Sequence, residues 1–348
     1  MEEYIINGKT SYSVFVGSDL LHSVGLQLKQ TFAPRKICVI TDSKVNALYA
    51  QVVTSSLMEH GFQISKIVFP GGEHTKNIST YSNIMSALAA NNISRYDMVL
   101  GLGGGVVCDL AGFVAATYMG GIPYMMIPTT LSSQLTSSIG GNYAINISDG
   151  KDLISTYHDP EMVICDLKLL RSLPEECLND GITESVRIAA ISDQSILSHL
   201  NPLAIDYIME RSLSIQKSLV EADPNDNGVR NLLYFGNTVG YALEKISNYN
   251  MRHSQAIALG MLCESHGAFR LGLTDCDLST QISSALPNVP NLAFSVDEDS
   301  VFKFALLDKK IRDGAISVIV PKSFGQCFLK KISFSDLKKL ISLGLEIL

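Results

Sequence analysis

The amino-acid sequence predicts an α/β half followed by a mainly helical half. Three observations carry this reading. Short β-rich runs alternate with segments of helical spacing as far as about residue 165. The strand-like run Met98-Val99-Leu100-Gly101 leads into Gly103-Gly104-Gly105, which opens the next helix. From about Asp166 onward the pattern turns long and helical. Strands alternating with helices build a mostly parallel sheet covered on both faces. The expected domains are therefore residues 1–165, a Rossmann-like α/β fold, and residues 166–348, mainly helical.

Each element follows from local chemistry. Tyr4-Ile5-Ile6 and Tyr12 to Val16 flank Asn7-Gly8, a hairpin turn signal. Ser18-Asp19 is placed to cap a helix running to about Gln30. Lys36 to Thr41 is a short β-rich run ending in Asp42, followed by a helix over Val45 to Glu59 and a strand at Gln63 to Phe69. Gly71-Gly72-Glu73 breaks that strand, and Ser79 to Ala90 is helical. After the glycine cluster a helix runs from Val106 to Tyr118, and the strand Tyr124 to Ile127 closes at Pro128-Thr129-Thr130. The later helices are expected at Thr183 to Ile191, Ala204 to Glu221, Asn231 to Ile246 and Ser254 to Gly272. Ile316 to Pro321 is a late strand, and Phe334 to Leu348 a closing amphipathic helix.

Composition narrows the function classes. The 348 residues are 46% hydrophobic and 18% charged, an ordinary globular balance that excludes intrinsic disorder. The net charge of −7 argues against a nucleic-acid or anionic-membrane binder. Seven scattered cysteines with no Cys-x-x-Cys signal neither a zinc ribbon nor a redox dithiol. Reduced cysteines, the acidic Met1-Glu2-Glu3 opening and the lack of a long apolar run lead us to expect a soluble, cytoplasmic protein. The seven histidines are dispersed, so a histidine metal site would have to be assembled by folding.

The strongest local signal is Gly101-Leu102-Gly103-Gly104-Gly105 with Asp109 behind it. Glycine permits close backbone approach, and a helix N-terminus offers amides and a positive dipole end, which is what a pyrophosphate needs. A tight strand–helix turn without a ligand is the plainer alternative. Gly71-Gly72-Glu73-His74-Thr75-Lys76 follows another strand end, where ligands of open α/β sheets gather. There Glu73 suits ribose hydroxyls and Lys76 a phosphate; the alternative is a charged surface loop. Asp42 is a ribose candidate or a helix cap. In the helical half, Glu184 and His253 could contribute to a divalent metal site, while Lys217 and Arg230 lie on or beside helices.

In order and spacing, several motifs resemble the 3-dehydroquinate synthase family of sugar phosphate cyclases. They are Gly71-Gly72-Glu73-x-x-Lys76, Gly103 to Phe113, Pro128-Thr129-Thr130-Leu131 and Ser137-Ser138-Ile139-Gly140-Gly141. Gly150-Lys151, Arg230-Asn231-Leu232-Leu233 and Asp308-Lys309-Lys310 complete the set, so the resemblance spans nearly the whole chain. It implies an N-terminal Rossmann-like NAD-binding domain, a C-terminal helical domain for metal and substrate, and a homodimer. It also implies NAD-assisted elimination of phosphate from a seven-carbon sugar acid phosphate, then ring opening and carbocycle closure. Carried over by position, Asp42, Glu73, Lys76, Gly104, Gly105, Asp109, Thr129, Thr130 and Lys151 fall in the NAD site. Lys217, Arg230 and Lys309 or Lys310, with Lys151, fall among the anionic-substrate and catalytic positions. Glu184, His253 and Asn237 occupy the three positions of a zinc or cobalt site.

The same comparison marks departures. Asn237 stands where the family has a histidine ligand, Tyr241 where it has a second histidine, and Tyr234 where it has an asparagine. Asn142 replaces a lysine, Gly120 an arginine, Thr136 an aspartate, Arg187 a lysine, Asp152 an asparagine and Gln255 a glutamate. An amide oxygen is a poor substitute for imidazole at a transition metal. The Lys-to-Asn and Arg-to-Gly changes remove two positive charges that would face an anionic substrate. The expectation is a sugar phosphate cyclase with altered substrate chemistry. The alternatives are a non-catalytic NAD-binding homologue or partner subunit, and an NAD-dependent polyol dehydrogenase.

Overall fold

A computed structural model describes residues 1–348 apart from 149, 202–203, 290–291 and 293–294. The chain divides into two compact units, Met1–Leu178 and Asn179–Leu348.

Among the described residues, the first unit is built on a seven-stranded sheet and a two-stranded one. Its strands are β1 (Glu2–Asn7), β2 (Ser11–Gly17), β3 (Lys36–Asp42), β4 (Gln63–Phe69), β5 (Met98–Gly103), β6 (Tyr124–Pro128), β7 (Asn142–Ile147), β8 (Gly150–Tyr157) and β9 (Met162–Asp166). The large sheet runs β1-β2-β9-β6-β5-β3-β4, with β1–β2 antiparallel and every other pair parallel. Parallel strands buried on both faces read as continuous apolar runs, and β5, β6 and β9 are buried at every position. One core cluster joins Val39, Leu100 and Ile127 of the sheet to Leu28, Val53 and Leu57 of the helices. The β7–β8 hairpin forms the two-stranded sheet and touches the chain after β4 through a bridge between Asn77 and Asn146. The sequence reading assigned no element to β7, β8 or β9.

The Ser18-Asp19 cap is corrected. Asp19 takes a left-handed φ of 61°, and neither residue caps the helix. Asp166, at the end of β9, takes that role instead. Its carboxylate accepts the amides of Asp19 (3.0 Å), Leu20 (2.7 Å) and Leu21 (3.2 Å). A cap supplied from 146 residues away is invisible to local pattern.

The second unit combines helices with a small sheet of β10 (Ile311–Arg312), β11 (Ala315–Ser323) and β12 (Gln326–Ser333). One late strand was expected; its antiparallel partner β12 is mostly exposed or half-exposed, and its apolar residues do not alternate strictly. The expected helix from Asn231 to Ile246 is two elements: a 3-10 segment, Val229–Tyr234, and the helix Asn237–Ile246. Gly236 separates them with a left-handed φ of 84°. That helix packs closely on the helix His253–Arg270: a Cβ added to Gly260 would sit 2.0 Å from the Gly236 carbonyl oxygen. The closing helix ends at Leu345. Val239, Leu259, Val318 and Leu340 share the core of this unit. Among the described residues no helix is long and apolar enough to cross a membrane.

Candidate functional site

The glycine motif folds as a turn from β5 into the helix Gly105–Thr117. Gly104 is its N-cap, and no side chain caps it. The Thr129-Thr130 segment lies against this turn. Thr129 N–H donates to the Gly103 carbonyl (2.9 Å), and a Cβ on Gly104 would sit 3.1 Å from Thr130 Cγ2. Gly105 is as close to Ser137, at 3.1 Å from Oγ. The space that side chains would fill is left beside a row of helix-start amides, an arrangement suited to an anion.

Lys76 is the centre of a buried charge cluster. Its ammonium lies 2.7 Å from Asp152 Oδ1, 2.9 Å from Asp109 Oδ2 and 3.3 Å from Glu73 Oε1. Lys151 reaches Glu73 Oε1 at 3.5 Å. Three carboxylates thus share two ammonium groups. Burial pushes the Asp109 carboxyl up to about 6, against the pull of Lys76. Burial also acts to raise Asp152, but Lys76 and Lys151 outweigh it and hold that group below the usual carboxylate range. Burial acts to lower Lys76, yet Asp109, Asp152 and Glu73 keep it well above an ordinary lysine.

Asn146 orders this cluster and was not singled out from sequence. Its backbone N–H donates to the Lys76 carbonyl (2.8 Å), its Nδ2 donates to Glu73 Oε1 (2.9 Å), and its Oδ1 accepts the Asp152 N–H (3.0 Å). An asparagine within an unrecognised hairpin carries no local signal.

Asp42, at the end of β3, caps the turn that follows: Oδ1 accepts from Lys44 N–H (2.8 Å) and Val45 N–H (3.0 Å). Gly71 lies beside it, its Cβ position 3.6 Å from the Asp42 carboxyl carbon. The structure therefore gathers Asp42, Glu73, Lys76, Gly104, Gly105, Asp109, Thr129, Thr130 and Lys151 at and just beyond the ends of β3, β4, β5 and β6 and along β8.

In the second unit, Glu184 and Arg187 lie three residues apart on the helix Glu175–Ser192, both buried. The Arg187 guanidinium pairs with Glu184 Oε2 and donates from Nη1 to Asn237 Oδ1 at 3.0 Å. His253 Nδ1 lies 3.2 Å from Glu244 Oε2, with the Tyr241 ring centroid 5.8 Å from the imidazole centroid. Arg252 and Ser254, on either side of His253, both bind Asp180, one turn before Glu184. Among the described residues no group of three or more His, Cys, Asp and Glu side chains is placed to hold a metal.

The basic candidates each lie against a carboxylate of the second unit. Lys217 pairs with Glu221 one turn along its helix (3.4 Å). The buried Arg230 donates its backbone N–H to Asp223 Oδ2 (3.2 Å). Lys309 binds Asp226 Oδ2 (2.8 Å) and lies 3.8 Å from the Tyr234 ring centroid, while Tyr234 donates its hydroxyl to the same carboxylate (2.6 Å). Lys310 is buried against Asp308 Oδ2 (2.6 Å), which also accepts from Thr238 (2.7 Å). Glu264 accepts the amides of Gly236 (3.0 Å) and Val239 (3.1 Å), and burial pushes it up to about 7 against the charge of Lys310.

Comparison with known proteins identifies the family. Residues 66–180 match the 3-dehydroquinate synthase N-terminal family and residues 181–311 the C-terminal one. A 3-dehydroquinate synthase of Clostridium acetobutylicum is 34% identical over 344 residues, covering 95% of this chain and 96% of that protein. Two solved structures share the fold. A 2-deoxy-scyllo-inosose synthase complexed with carbaglucose-6-phosphate, NAD+ and Co2+ superposes with a TM-score of 0.84 at 21% identity, covering 98% of this chain and 99% of that one. The 2-epi-5-epi-valiolone synthase of Streptomyces hygroscopicus, with NAD+ and Zn2+ bound, gives 0.85 at 22%, covering 97% and 98%. With both halves matched by the family and a relative 34% identical over nearly the whole chain, the chain belongs to the 3-dehydroquinate synthase family.

Proposed function

We propose that the protein is a sugar phosphate cyclase that binds NAD through its first unit. The observation that carries this is the convergence of Asp42, Glu73, Lys76, Gly104, Asp109, Thr130 and Lys151, drawn from five separate segments, around one set of strand ends. Bound NAD supplies the hydride acceptor and donor. The helix-start amides at Gly104-Gly105 take the pyrophosphate, and Asp42 and Glu73 accept ribose hydroxyls. Lys76 fixes the orientation of Asp109 and Asp152. The ligand is a small anionic sugar phosphate, and Lys217, Arg230 and Lys309 are the side chains proposed to meet its phosphate and carboxylate. The NAD+ and carbaglucose-6-phosphate held by the 2-deoxy-scyllo-inosose synthase support both ligand classes. A net charge of −7 supports a small-molecule rather than a nucleic-acid partner, and seven free cysteines support a cytoplasmic setting. A homodimer is the proposed assembly.

Calorimetric titration with NAD and phosphate release from the seven-carbon sugar acid phosphate test this together. NAD binding with NAD-dependent phosphate release is expected. Absence of both would overturn the reading. A second reading is favoured by Arg187, which spans Glu184 and Asn237: an NAD-binding homologue or partner subunit without turnover. NAD binding with no phosphate release selects it.

A further inference from the structure

We propose that the Arg187 guanidinium is a built-in cation standing where other members of the family hold a divalent metal, so that this chain binds no zinc or cobalt there. The inference rests on one side chain's contacts and holds for either reading of the function.

Helical spacing of three residues puts Glu184 and Arg187 on one face of the helix Glu175–Ser192. From there the guanidinium reaches both Glu184 Oε2 and Asn237 Oδ1, the latter at 3.0 Å. These are two of the three positions that the resemblance assigns to the metal. All three residues are buried, at 2%, 7% and 6% exposure for Glu184, Arg187 and Asn237. The carboxylate is therefore neutralised, and the amide oxygen is used as an acceptor. A divalent ion binding the same oxygens would have to displace the guanidinium from both. It would then share a buried site with a side chain that cannot lose its proton.

Among the described residues no other donor makes up the set. Zinc sites take at least three protein ligands, and a neutral amide oxygen is a weak one. The third position, His253, turns its Nδ1 to Glu244, which leaves Nε2 as one imidazole donor, short of the three ligands a zinc site takes. Glu264 has both oxygens on the amides of Gly236 and Val239. Gly236, with its left-handed φ of 84°, is the N-cap of the helix that Asn237 opens.

The test uses the full-length protein purified without chelator. Elemental analysis should find far less than one zinc or cobalt per chain. The unfolding temperature should be unmoved by EDTA or by added Co2+. About one metal per chain, with destabilisation by EDTA, would overturn the proposal. A second arm restores the ligand and removes the cation in the double variant Arg187→Ala, Asn237→His. Co2+ binding, read by titration and by the visible bands of the ion, should tighten at least roughly 10–100-fold over the unmodified chain. A folded double variant that gains no Co2+ affinity would show that Arg187 does not occupy the metal's place. If that variant fails to fold, the metal content and EDTA response of the unmodified protein decide the matter alone.

Discussion

Lys76 and Asp109, 33 residues apart in sequence, meet at 2.9 Å in the interior of the first unit. The lysine comes from the loop after β4 and the aspartate from the first turns of the helix after β5. Their pairing ties the two glycine motifs together, and Asp152 and Glu73 share the same ammonium.

Removing that ammonium leaves three carboxylates with Lys151 as the one remaining ammonium of the cluster. Breaking a buried pair by deleting one partner costs roughly 3–5 kcal/mol. Lys76→Met should lose about that much in urea unfolding and should lose NAD binding in the same preparation. Adding Asp152→Asn should recover part of the stability, because one of the crowded charges is gone. A single variant as stable as the parent would mean that the cluster is not held by Lys76.

Stability should fall as pH rises towards neutrality. Glu264 is pushed from 4.5 to about 7 and Asp109 from 3.8 to about 6, so the folded state binds more protons than the unfolded one through this range. The contribution is present below the unfolded values, lost between about pH 4 and pH 7, and flat above. Glu264 alone contributes on the order of 3 kcal/mol. Denaturant unfolding across this range should show a shallower decline in Glu264→Gln than in the parent. An unchanged slope would sink the assignment.

Gly236 is fixed by backbone and by space together. Its φ of 84° costs an L-residue about 1–2 kcal/mol, and a Cβ there would meet the Ile257 carbonyl oxygen at 2.7 Å. Gly236→Ala should destabilise by more than about 2 kcal/mol and should disturb the Asn237–Arg187 contact. Thermal unfolding measures the first effect.

Asp166 serves several amides at once, those of Asp19, Leu20, Leu21 and Lys168. Leaving a buried donor unpaired costs about 1–3 kcal/mol, so Asp166→Ala should lose roughly 3 kcal/mol or more. Asp166→Asn keeps one acceptor oxygen and should lose less. Equal losses in the two variants would show that packing, rather than hydrogen bonding, makes this residue important.

The elements that were legible share a physical cause. Strands β3, β5 and β6 are buried on both faces, so selection for burial writes them as apolar runs bounded by glycine, proline or threonine. Gly103-Gly104-Gly105 is readable because a Cβ at each position would crowd the strand–helix turn, most of all at Gly103, and Gly72 because its φ of 113° favours glycine. The β7–β8 hairpin and β12 were not legible, since half-exposed strands mix polar and apolar residues. The split at Gly236 was missed because a single glycine inside a helical pattern is usually tolerated.

By itself, the sequence determined the family, the two-part α/β and helical plan and the residues that gather at the strand ends of the first unit. These are properties of local pattern and ordered motifs. Only the tertiary structure decided what those residues touch. It placed Asp152 and Asn146 on Lys76, gave the 19–21 amides to Asp166, and set Glu264 on the start of the helix Asn237–Ile246. It also joined Glu184 and Asn237, 53 positions apart, through the Arg187 guanidinium. A side chain's charge is written in the sequence, but the partner that neutralises it is chosen by which elements pack together. That choice decides whether Glu184 and Asn237 meet a metal ion or an arginine.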